Sequence, residues 1–179
     1  MKLRPLRRLV LATSGIALAT AVLRGSIADA LVVRGDEFLY KGTAVRALQY
    51  YRRALWFDRR DGTAVDRLAF VATMSGNGSS LRGAIRVASE YLALDPGDDR
   101  VRMDRAMAYR RLGENERALF DFATVGRRTK DARALTFAGF AAADAGELQC
   151  ARAFWKAALL LAPGFPAPRH ALERSEERA

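Results

Sequence analysis

The sequence predicts an all-α fold built from a helix–turn–helix unit that recurs about every 34 residues. Three observations carry this. Ala47, Ala84, Ala118 and Ala151 stand 37, 34 and 33 residues apart. Gly42, Gly113 and Gly146 each precede one of these alanines by five residues, and Gly76 precedes Ala84 by eight. Pro96 and Pro163 lie 67 residues apart, two units. A small residue at a fixed place lets a neighbouring helix come close, glycine ends a helix, and proline cannot continue one.

The N-terminus stands outside the repeats. Lys2, Arg4, Arg7 and Arg8 precede residues 9–23, which carry no charge. A basic head before such a run describes a signal-anchor or a secretory signal. The anchor reading rests on Leu9, Val10, Leu11, Ile16, Leu18, Val22 and Leu23 within residues 1–25. Fifteen helical residues reach only ~22 Å, so the span of a ~30 Å hydrocarbon core requires the helix to continue towards Ala30 with Arg24 at the head groups. The basic head places the N-terminus in the cytoplasm and the repeats on the exported side of a single-pass chain. The alternative is a cleaved signal, cut at Ala19-Thr20-Ala21 or Ala28-Asp29-Ala30, and a secreted or periplasmic soluble protein.

From Ala28 the units can be read in register. The first shows Leu31, Arg34-Gly35, Phe38, Gly42, Ala47, Tyr51 and Ala54. The second shows Val65, Leu68-Ala69, Ala72, Gly76, Ala84, Ala88, Tyr91 and Pro96. The third shows Ala106, Tyr109, Gly113, Ala118 and Phe122, with Arg102 and Arg105 where large apolar residues are expected. The fourth shows Leu135, Ala138-Gly139, Ala142, Gly146, Ala151, Trp155, Ala158 and Pro163. On these residues the chain resembles the tetratricopeptide repeat (TPR) family over roughly residues 28–165. The resemblance implies a right-handed solenoid of about four repeats, over 28–61, 62–98, 99–131 and 132–165. Gly76-Asn77-Gly78-Ser79-Ser80 reads as an inter-helix turn three residues longer than its siblings. Pro166 and Pro168 lead into a short helix over 170–178, and residues 166–179 read as the cap that closes such a stack.

Composition limits the chemistry. One cysteine, Cys150, excludes an intrachain disulfide framework, and with one histidine, His170, no cluster of soft metal ligands can form. No catalytic, cofactor or metal site is expected. Gly76–Ser80 lacks the Gly-Lys-Ser/Thr ending of a phosphate loop and follows a helix. The net charge of +10 is almost all arginine, with Lys2, Lys41, Lys130 and Lys156 the only lysines. Such a balance fits nucleic acid, an anionic membrane or simply an arginine-rich coding composition. The arginine doublets lack the interleaved aromatics of a single-strand platform, which disfavours nucleic acid.

The TPR resemblance implies a function in binding protein segments, in a concave groove lined by the first helix of each pair. Carried over in register, the groove residues are Asp36 and Tyr40; Arg67 and Phe70; Arg100, Met103, Met107 and Arg110; and Arg133, Phe137 and Phe140. The Lys/Asn clamp with which some members hold a chaperone's terminal carboxylates is missing, since Val32 and Asp36 stand at the matching positions. The expected function is a membrane-anchored, non-enzymatic adaptor or assembly factor that needs no cofactor, with protein partners drawn from a membrane complex. An exported soluble TPR protein is the second reading and a basic nucleic-acid-binding solenoid the third.

A chain starting at Ser26 is expected to be soluble, helical and cooperatively folded, because no later stretch has a comparable uncharged run. Sedimentation of that chain with membranes in high salt would place the anchor elsewhere.

Overall fold

The computed structural model describes the backbone of residues 4–177 and the side chains of residues 19–177. Among the described residues there are nine helices and no strand: α1 (Arg4–Tyr40), α2 (Ala44–Phe57), α3 (Gly62–Ser75), α4 (Gly78–Leu94), α5 (Asp99–Arg111), α6 (Asn115–Thr129), α7 (Ala132–Asp144), α8 (Leu148–Leu161) and α9 (Pro166–Glu176). The chain divides into two compact units, residues 1–64 and 65–179, with the boundary inside α3.

In the first unit the C-terminal part of α1 packs on α2 around Gly35 and Tyr51. A methyl group at Gly35 would stand 2.5 Å from Tyr51 Cε1, so glycine is what lets the ring seat there. Tyr51, Ala47 and Ala54 are fully buried, and the Tyr51 hydroxyl donates to Asp36 Oδ1 at 2.7 Å. Gly42 turns the chain with φ +74°. The N–H groups of Gly42 and Thr43 then return to the carbonyls of Leu39 and Phe38, both at 2.9 Å, which satisfies the end of α1. Among the described residues no helix is long and apolar enough to cross a membrane. Of the expected anchor, the side chains of Leu9, Val10, Leu11, Ile16 and Leu18 lie outside the described residues; Val22 and Leu23 are exposed on α1.

The second unit is a series of helical hairpins closed by α9. Gly113 and Gly146 end α5 and α7 with φ +77° and +84°, the same left-handed turn as Gly42. Ala84, Ala118 and Ala151, the repeating small residues of α4, α6 and α8, are all buried. They let the paired helices approach while Phe122 and Trp155 fill the space between pairs. Trp155 lies so close over Gly139 that any side chain there would collide with the indole. Asp98 and Asp131 cap α5 and α7, accepting from the N–H of Val101 at 3.1 Å and of Arg133 at 2.7 Å.

Two local expectations are corrected. Gly78-Ser79-Ser80 is not loop: α4 already begins at Gly78, and Asn77 Oδ1 accepts from the N–H groups of Ser79 and Ser80 at 2.9 and 3.3 Å. The three extra residues therefore lengthen α4 to 17 residues, against 14 in α2 and α8. The last helix starts at Pro166 and not at His170, because proline is tolerated in a first turn whose N–H groups have no intrahelical acceptor.

Arg102 and Arg105 are the largest departure from an apolar pattern, and they are half-buried. Their side chains are 14% and 16% exposed and converge on Asp121 of α6, which is 1% exposed. Arg105 Nε and Nη2 each donate to Asp121 at 2.8 Å, and Nη1 donates to Ser89 Oγ of α4 at 3.1 Å. Asp121 in turn raises the Arg105 pKa further above its ordinary value. The Arg105 guanidinium thus ties α5 to Asp121 of α6 and to Ser89 of α4.

Removing a single member of a buried ion pair leaves uncompensated charge in a poorly solvated place and costs ~3–5 kcal/mol. Asp121→Ala is expected to destabilise the fold by about that amount in denaturant titration, and Asp121→Asn by less. A loss below ~1 kcal/mol, the value of an exposed pair, would show that the network is solvated.

Candidate functional site

The residues expected to line a groove fall into three sets. In the first unit, Asp36 is half-buried and bonded to Tyr51, while Tyr40 is exposed at the end of α1. In the second unit, Arg67 is half-buried and Phe70 is 48% exposed on α3. One turn further on, Met74 is 68% exposed, an apolar neighbour that the repeat register does not single out. Arg100 is exposed on α5, its Nε 3.6 Å from Asp66 Oδ1 of α3. Met103 and Met107 pack against the core formed by Ala106, Phe122 and Ala138. Arg133 is exposed at the start of α7.

Phe137 and Phe140 do different things despite their spacing. Phe137 turns inward and stacks on Phe122 at 5.4 Å between ring centroids. Phe140 stands edge-on to Phe137 at 6.4 Å and tilted against Trp155 at 5.7 Å. The four rings form a file through α6, α7 and α8, and each such pair adds ~0.5–1.5 kcal/mol beyond burial. Of the two α7 rings, Phe140 is the one that borders a surface cleft. Arg110 covers it, with the guanidinium 5.6 Å from the ring centre, and donates from Nε to Asp144 Oδ2 at 2.8 Å.

Two clefts meet at Asp144. One, of about 340 Å³, is lined by Met107, Arg110, Arg111 and Asp144. The other, of about 240 Å³, is lined by Phe140, Ala143, Asp144, Leu148, Trp155, Ala171, Arg174 and Ser175. Met107, Arg110 and Phe140 are thus brought together, while Arg133 and Phe137 line neither cleft. Asp144, Arg111 and Arg174 are participants that sequence reasoning missed. Asp144 carried a signal, four residues after Phe140 and so on the same helix face.

A second carboxylate cluster joins α3 to α5. The Asp104 carboxyl lies close to that of Asp66, and burial, with Asp66 adding to it, pushes its pKa up to about 8. Its Oδ2 is buried without a hydrogen-bond partner. Burial likewise pushes the Cys150 thiol up, away from the thiolate a nucleophile needs. Among the described residues no group of His, Cys, Asp and Glu is placed to hold a metal ion.

No family profile matches the sequence, and no curated protein matches it significantly. Solved structures do. MamA from Desulfovibrio magneticus RS-1 is 19% identical with a TM-score of 0.74, over 86% of this chain and 86% of that one. YrrB, described as a TPR protein with an unusual peptide-binding site, is 21% identical with a TM-score of 0.70, over 93% and 88%. A tetratricopeptide repeat protein from Parabacteroides merdae is 22% identical with a TM-score of 0.68, over 86% and 62%. The fold is an all-α solenoid of the TPR type.

The Asp104 carboxyl generates a pH test. Its pKa is raised in the folded state above the ordinary 3.8, so the folded protein holds a proton that the unfolded chain releases. The stability this contributes is complete below about pH 4 and is lost as pH rises through about 8. Asp104→Asn should therefore gain on the parent protein between pH 5 and about 8 in denaturant midpoints and level off above that. A difference that stays constant over this range would show that Asp104 ionises normally.

Proposed function

We propose that this protein is a non-catalytic interaction scaffold that holds a partner's polypeptide segment against the first helices of its hairpins. The observation that carries the reading is the open cleft at Met107, Arg110, Arg111 and Asp144. It combines a flexible apolar side chain with fixed charges at the first helices of consecutive hairpins, and Phe70 and Met74 add exposed apolar surface on α3. Methionine and aromatic groups give adaptable apolar contact, and arginine pairs with carboxylates in a defined geometry. The peptide-binding site attributed to YrrB supports the same use of this fold.

The reading includes a tether. Residues 1–25 would hold the scaffold at a membrane, with the N-terminus cytoplasmic and the repeats exported, where it serves as a subunit or assembly factor of a membrane complex. Four basic residues before an uncharged run of fifteen support this.

The test is affinity capture from solubilised native membranes with the parent chain and with Phe70→Glu/Arg110→Ala. Both side chains are at least partly exposed, so helical content and melting should hardly change. Removing central anchors typically costs ~2 kcal/mol or more, and partner recovery should fall at least tenfold. Unchanged recovery would move the binding face to the second helices of the hairpins.

A further inference from the structure

The two clefts that meet at Asp144 specify a partner chemistry, because some of their charges are engaged and others are not. Arg110 is engaged by Asp144 and by the Phe140 ring. Arg111 on α5 and Arg174 on α9 line the two clefts, both exposed, and neither has a carboxylate partner among the described residues. In the cleft that Arg174 borders, Phe140, Leu148 and Trp155 supply the apolar surface. One available guanidinium, Arg174, therefore stands at an apolar hollow and a second, Arg111, at the cleft that adjoins it at Asp144, on a chain whose net charge is +10.

Resting on the reading of this face as the binding face, we propose that it takes an acidic polypeptide segment in which one apolar side chain stands between carboxylates. The apolar group fills the cleft of about 240 Å³ over Phe140 and Trp155. The flanking carboxylates pair with Arg111 on one side and Arg174 on the other, each able to offer a planar pair of N–H donors. Asp144 does not oppose this, since Arg110 already neutralises it. A nucleic acid fits less well. Phe140 is covered by Arg110 and packed on Trp155, so no free ring is offered for base stacking.

The test uses the full-length chain in detergent and fluorescence anisotropy of three labelled dodecapeptides that differ only at the centre. The centres are phenylalanine between glutamates, serine between glutamates, and phenylalanine between lysines. The first should bind at least about tenfold more tightly than the others, the scale of one charge-assisted hydrogen bond. Arg111→Glu and Arg174→Glu should each weaken it by about tenfold, and Arg174→Glu should tighten the lysine-flanked peptide. Equal binding of the lysine-flanked peptide by the parent chain, no binding of any peptide, or displacement by an oligouridine RNA would overturn the proposal. The Phe70→Glu/Arg110→Ala capture experiment separates the two levels. Failed peptides with capture still sensitive to that variant remove the acidic partner and leave the binding face standing. Failed peptides with insensitive capture remove both.

Discussion

The bond between Arg105 and Asp121 is the constraint on which the second unit depends. Helical hairpins of this kind hold together because each apolar face is covered by its neighbour, yet α5 carries arginines at two of its inward positions. Left unpaired, those guanidinium groups would open the stack where α4, α5 and α6 meet. Asp121 accepts two hydrogen bonds from Arg105 and draws in Arg102 at 3.6 Å, so the charges are neutralised where they are buried. An ionic core of this sort adds little net stability over an apolar one, yet losing either partner is costly because it leaves the other's charge unpaired.

The file of rings from Phe122 to Phe140 links that buried centre to the surface. Phe122 lies in the core close to the ionic network, Phe137 stacks on it, and Phe140 carries the contact out to Arg110 and Asp144. The side chains around Asp144 are therefore positioned by rigid packing from behind. A site built this way is held in place before a ligand arrives, which lowers the ordering cost of binding.

The fold was largely legible in the sequence because its determinants are local and periodic. The glycines at 42, 76, 113 and 146 all adopt positive φ, as their place after a helical run implied. A further periodic signal went unread: Asp61, Asp98 and Asp131 each accept a backbone N–H at the start of a first helix, and they recur at 37 and 33 residues. What stayed hidden depends on partners distant in sequence. Arg105 and Asp121 are 16 residues apart and Arg110 and Asp144 are 34 apart, so no window of helical period pairs them. The glycine and serines at 78–80 misled for another reason. Their turn propensity was outweighed by Asn77, whose side chain satisfies the first N–H groups of α4 and starts the helix early.

The central claim is that the first helices of the second unit, and not the second helices, present the binding face. It is tested most directly by a photo-crosslinking amino acid placed in turn at Arg111 on α5, at Arg174 on α9 and at exposed Phe120 on α6. Cross-links to one and the same partner from the first two positions, and none from Phe120, are the predicted result. A cross-link from Phe120 alone would contradict the account and assign the interaction to the opposite helices.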